Sequence, residues 1–66
     1  MGVRIVTNPK VLQGKPIVED TRISVAFILE LLAGGLTVDQ IVEEYPNLTT
    51  EGVVAAIKYA PQDSYA

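Results

Sequence analysis

Sixty-six residues, 48% apolar and 20% charged with a net charge of −3, make one small folded domain and leave no room for a second core or a cofactor-binding half. The absence of Cys and His excludes disulfides, thiolate metal sites and the commonest general base. A domain this short buries only about 60% of the surface its unfolded chain exposes, so its stability is marginal and self-association is the expected supplement.

Charge is uneven along the chain. Up to Ile23, Arg4, Lys10, Lys15 and Arg22 outweigh Glu19 and Asp20 to leave +2. From Ser24 onward, Lys58 alone faces Glu30, Asp39, Glu43, Glu44, Glu51 and Asp63, which leaves −5. A basic N-terminal piece therefore precedes an acidic body. No apolar signal region is found near Met1, and Val6 stands where a myristoylation pattern wants Ser or Thr. The longest apolar stretch, Ile23 to Leu36, has 14 residues with Glu30 inside it, too short to span a membrane. A cytoplasmic protein without membrane contact is expected.

In chain order, residues 1–23 read as a short β-ribbon or arm. Arg4 to Thr7 is rich in β-branched residues and meets the turn signal Asn8-Pro9. Gly14 and Pro16 break the chain again. Ile17-Val18 and Arg22 to Val25 then flank Glu19-Asp20-Thr21, a tight corner in which Asp20 can take left-handed backbone.

Residues 24–60 read as a three-helix core. Ser24 caps a helix from Val25 to Ala33 that ends at Gly34-Gly35. Thr37 and Gln40 have capping-box spacing. The helix they open places Val38, Ile41, Val42 and Tyr45 on one face and stops before Pro46. Thr49 caps a third helix, which runs to about Ala60. Pro61 to Ala66 is expected to be a loose tail. The fold class is thus mainly α with a short N-terminal β-ribbon, a three-helix bundle of helix-turn-helix type.

The first of these helices is apolar nearly all round, with Glu30 its single charge. A helix apolar on every face needs cover on every face. Phe27, Ile28, Leu31 and Leu32 are accordingly the candidate homodimer interface, the alternative being that the N-terminal ribbon of the same chain covers them. Tyr45 and Tyr59 occupy apolar helical positions and are expected to be half-buried core.

The second and third helices are joined by Tyr45-Pro46-Asn47-Leu48-Thr49, the arrangement of a helix-turn-helix. In a DNA-reading version Asn47, Thr49 and Thr50 would meet bases or phosphates, with Lys58 further along. Arg4, Lys10, Lys15 and Arg22 of the arm would supply the phosphate contacts. The acidic helical half opposes strong DNA binding by the chain alone, because phosphate affinity depends on Lys and Arg. Plain three-helix packing explains the same spacing.

Catalysis is not expected. Glu43-Glu44 and Glu19-Asp20 are sequence neighbours, and neighbours on a helix do not converge on one substrate. Gly14-Lys15-Pro16 lacks the rest of a phosphate loop. No cofactor, metal or small-molecule substrate is implied.

Gly14-Lys15-Pro16-Ile17-Val18 followed by Thr21-Arg22-Ile23-Ser24-Val25 resembles the signature of the domain of unknown function 433 family. Leu31 to Thr37, Ile41, Tyr45 to Thr49, and Ala56 through Tyr59-Ala60 are similar to that family's helical half. The resemblance covers about Val3 to Ala60. It implies a small prokaryotic protein, usually dimeric, similar to VapB-type antitoxins encoded beside a PIN-like ribonuclease toxin. By that resemblance the helix after Thr49 corresponds to the recognition helix. The expected function is an antitoxin-like dimeric module that binds such a toxin, with double-stranded operator DNA bound weakly or only in complex. The alternative is an interaction or dimerisation module without DNA contact. The chain departs from the family pattern at Asp20, where Gly is usual, and at Ser24, where Pro is frequent. Gly52 is a further oddity, costing roughly 1 kcal/mol relative to Ala inside a helix.

Overall fold

A computed structural model describes residues 3–59. The expected helix end at Ala60 and the tail, 61–66, lie outside the described residues. Two short strands, β1 (Ile5–Val6) and β2 (Ile17–Val18), pair antiparallel with Ile5 opposite Val18 and Val6 opposite Ile17. Both are β-branched pairs, which suit a pleated, half-covered surface. The ribbon forms within one chain. Asn8 turns it: its side-chain Oδ1 accepts from Lys10 N–H at 2.9 Å, and its carbonyl accepts from Val11 N–H at 2.8 Å.

β2 is covered on its second edge as well. Ile17 bridges Ser24, and Val18 N–H donates to the Ile23 carbonyl at 3.0 Å. The corner between them is held by Thr21, whose hydroxyl donates to the Val18 carbonyl at 2.8 Å and accepts from Ile23 N–H at 3.0 Å. Asp20 sits in that corner with φ of 65°, the left-handed backbone expected of it. A feature the sequence did not signal lies just before β2. Leu12, Gln13 and Gly14 form a one-turn 3-10 segment in which all three have positive φ.

Three helices follow. In α1 (Val25–Ala33), Ser24 Oγ accepts from Phe27 N–H at 3.0 Å. The helix ends in a Schellman motif: Leu36 N–H reaches the Leu31 carbonyl at 3.1 Å and Gly35 N–H the Leu32 carbonyl at 3.0 Å. Gly35 has φ of 105°, so a side chain there would be strained. In α2 (Val38–Glu44) the capping box is complete. Gln40 N–H donates to Thr37 Oγ1 at 3.1 Å, and Thr37 N–H donates to Gln40 Oε1 at 2.8 Å. Thr37→Ala removes one acceptor from this exposed cap and is expected to cost about 1 kcal/mol, read as a lower urea midpoint at unchanged m-value. In α3 (Thr50–Tyr59), Thr49 Oγ1 accepts from Gly52 N–H at 3.1 Å.

The three helices pack pairwise, and the ribbon lies against α3. Ile28, Ile41, Val53 and Ala56 are fully buried at the centre, with Val18, Val25 and Leu48 around them. Ile28 therefore belongs to the core of the single chain and corrects the expectation that placed it at a homodimer interface. Its side of α1 faces α2 and α3 and has no surface left for a second copy. Tyr59 is the opposite correction. It continues the Val53–Ala56 stripe by three residues, one turn past the point where the core closes, and stands 47% exposed instead of half-buried. Tyr45 is half-buried and meets Phe27 edge to face, with ring centroids 5.5 Å apart.

Candidate functional site

The helix-turn-helix pair is α2 and α3 with a turn closed by Leu48 N–H to the Tyr45 carbonyl at 2.8 Å. Leu48 points inward and is buried, which leaves Asn47, Thr49 and Thr50 exposed around the start of α3. The Thr49 hydroxyl is already engaged in capping. Thr50, Glu51, Val54 and Lys58 line one shallow depression, and Val3 of the arm lies along it. The outer face of α3 thus brings Thr50 and Lys58 together, with the carboxylate of Glu51 between them in sequence and Val3 at the border.

The cations of the arm are not gathered onto that face. Arg22 and Asn47 share a separate open groove with Asn8, Glu19, Asp20 and Thr21. Lys10 stands in the exposed turn after Asn8. Lys15 lies beside Leu12 and Gln13. Arg4 is committed to Glu19, with Nη2 3.1 Å from Oε2. Arg4, Arg22 and Lys58 therefore each have a carboxylate in their surroundings, and a phosphate backbone approaching them would meet both signs.

The Arg4 hydrogen bond, and secondly its positive charge, hold the Glu19 carboxyl below its usual range; the same bond raises the Arg4 guanidinium. A depressed carboxyl contributes stability that is present above its unfolded value and lost as the pH falls through its lower folded value. Arg4 is 75% exposed, so water and salt screen the pair. Arg4→Ala is expected to leave the urea midpoint at neutral pH and physiological salt almost unchanged. Its effect should become visible only in low salt, and should vanish there below the usual carboxylate range.

Apolar surface is the other feature of the molecule. Pro16, Val25, Ala26, Leu29 and Tyr59 line a groove of about 260 Å3 between α1 and the end of α3, with Lys15 and Ser24 at its margin. Leu12, Ile23 and Phe27 line a second depression with Arg22 and Ser24. Of the residues expected at a homodimer interface, Phe27 is 37% exposed, while Leu31 and Leu32 are half-buried against the core. Sequence reasoning missed Leu12, Ala26 and Tyr59 as surface; Leu29 lines the groove but is half-buried against the core, like Leu31 and Leu32. The apolar run of α1 made all its positions look alike, and only the packing of α3 decides which side remains open.

Among the described residues no group of three or more carboxylates converges to hold a metal ion, and no helix is long and apolar enough to cross a membrane. What the arrangement offers is shallow surface depressions, part polar and part apolar.

Comparison with curated proteins and with solved structures finds no match to this chain. The sequence profile of one family, described as "Protein of unknown function (DUF433)", matches residues 5–60. That span takes in the ribbon, the Asp20 corner, all three helices and the turn between the last two. The chain belongs to the DUF433 family.

Proposed function

We propose that the protein is a small homodimeric interaction module of antitoxin type, that its protein partner is a PIN-like ribonuclease, and that operator DNA is a ligand of the assembled complex and not of the free chain. The observation that carries the interaction reading is the α1–α3 groove, where Ala26, Leu29 and Tyr59 leave apolar surface open on a domain too small to discard burial. A second copy seated there would cover Ala26, Leu29 and Tyr59; of the residues expected at a homodimer interface, Phe27 lies in the neighbouring depression and Leu31 and Leu32 are half-buried against the core. The partner class comes from the resemblance to VapB-type antitoxins, and the cytoplasm is the compartment that goes with it.

The placement of DNA within the complex follows from charge. The free chain spreads Arg4, Lys10, Lys15, Arg22 and Lys58 over several surfaces and pairs one of them. Two or more copies held on one duplex turn such weak contacts into useful affinity. The same dispersion favours the second reading, an interaction module that does not touch DNA.

Purification of the tagged protein from its native host at low salt, with mass and nucleic-acid analysis of the eluate, tests these readings. A stoichiometric small ribonuclease whose RNA cleavage stops on adding the chain supports the antitoxin reading. A duplex shifted by the complex, with affinity falling steeply between about 50 and 200 mM salt, supports its DNA half. A homodimer that retains neither protein nor DNA moves the assignment to the second reading.

A further inference from the structure

Leu12 and Gln13 both hold left-handed backbone, with φ of 49° and 58°, ahead of Gly14 at 83°. Glycine takes this region freely, whereas an L side chain there crowds the following carbonyl. Strain of this kind persists only where the surroundings impose it, and it gathers at binding surfaces. Here the strained turn does not return Leu12 to the core; the side chain stands 46% exposed. It shares a depression of about 290 Å3 with Ile23, Phe27 and Arg22. On its other side it lines a smaller depression with Gln13 and Lys15. Two of the large exposed apolar side chains, Leu12 and Phe27, thus meet at one patch with a cation on either side.

We propose that this patch docks an acidic amphipathic segment of a partner protein, whose aliphatic side chains fill the Leu12–Phe27 depression while its carboxylates reach Arg22 and Lys15. Charge complementarity selects that occupant. Among the described residues, Arg22 and Lys15 form no ion pair; Glu19 in the same stretch is already taken by Arg4, and Asp20, which shares a groove with Arg22, still leaves the stretch net positive. The helical body beyond it carries Glu30, Asp39, Glu43, Glu44 and Glu51 against Lys58 alone. A carboxylate-bearing segment is repelled by that body and drawn to this patch, and a basic segment is steered the other way. The patch adjoins the α1–α3 groove and shares Lys15 and Ser24 with it, but its apolar lining is Leu12, Ile23 and Phe27 where that of the groove includes Ala26, Leu29 and Tyr59. The proposal rests on the interaction-module reading and adds the surface and the chemistry of the partner; it does not require that partner to be a nuclease.

The test titrates the isotopically labelled full chain with two synthetic helical peptides. Both carry Leu along one face; one has Glu at the remaining positions and the other Lys. The expected result is amide shifts centred on Leu12, Ile23 and Phe27, with the Glu peptide bound at least about tenfold more tightly, a preference that Arg22→Glu abolishes. Leu12→Gly is expected to weaken the Glu peptide about tenfold while leaving the urea midpoint unchanged or higher, because glycine relieves the left-handed strain. A Leu12 that served only the fold would lower the midpoint instead, and that result overturns the proposal. Equal affinity for both peptides, or shifts centred on Ala26, Leu29 and Tyr59, overturns it too. So does binding that occurs only as a homodimer dissociates, which would assign the patch to a second copy. If neither peptide binds but the chain still retains a stoichiometric protein partner, this site is wrong and the interaction-module reading survives.

Discussion

Ile28→Ala is expected to leave the chain largely unfolded at room temperature. Ile28 has no exposed surface and sits where α1 meets the buried residues Ile41, Val53 and Ala56. Truncating a buried Ile to Ala costs about 2–5 kcal/mol, from lost transfer energy and the cavity left behind. A domain under about 80 residues rarely has more than about 3–5 kcal/mol in total from its core. The loss is therefore of the same size as the stability. Ile28→Val, which removes a single methylene, should cost only about 0.5–1.5 kcal/mol and remain folded. Circular dichroism through a urea titration of the three proteins checks this order. The same experiment separates core from interface. If Ile28 served mainly to join two copies, Ile28→Ala would yield a folded monomer, and the wild-type midpoint alone would depend on protein concentration.

The helical half was legible because each boundary carries its own chemistry. Ser24, Thr37 and Thr49 accept from the N–H groups of Phe27, Gln40 and Gly52, the cap bonds their positions imply. Gly35 and Pro46 stop α1 and α2 for reasons confined to one or two residues. Side-chain identity at such points leaves few alternatives, so local rules suffice. Asp20 belongs to the same class, since a short polar side chain tolerates the left-handed corner that β2 needs.

What was not legible depends on long-range packing. The Leu12–Gln13 turn has no signal in those residue types; its geometry is imposed from outside, as β1 and the Asn8 turn must bring the chain back to β2 in register. Ile28 and Phe27 are neighbours in a uniformly apolar helix, yet one is fully buried and the other 37% exposed. Periodicity cannot choose between them when every position is apolar. The candidate DNA residues failed to converge for a related reason. Their grouping depends on where the ribbon lies against α3, and no residue of the ribbon states that.

Gly52 does encode that contact, in a form that reads as a defect until the structure is seen. Its φ is ordinary helical backbone, so the reason for glycine is space. A Cβ built there would lie 3.2 Å from Val18 Cγ1, 3.6 Å from Thr49 Oγ1 and 3.7 Å from Leu48 Cδ2. The ribbon approaches the first turn of α3 more closely than a methyl group comfortably allows. Gly52→Ala sets a helix-propensity gain of about 1 kcal/mol against displacement of Val18 by a few tenths of an ångström, and is expected to come out near neutral. Gly52→Val adds two more carbons to the same gap, where overpacking costs about 1–3 kcal/mol and β-branching returns part of the propensity gain. In a domain this small that loss is a large fraction of the whole, and the urea midpoint should fall accordingly. Val18→Ala in the Gly52→Val background should recover part of the loss even though Val18→Ala alone destabilises. That positive coupling is the measurement that separates a clash with Val18 from a general intolerance of side chains in the first turn of α3. It bears on function because the clash, if relieved by moving the ribbon, shifts Val3 and Arg4 relative to Thr50 and Lys58. Any ligand that uses the arm and α3 together should then bind Gly52→Val more weakly than the stability loss alone explains.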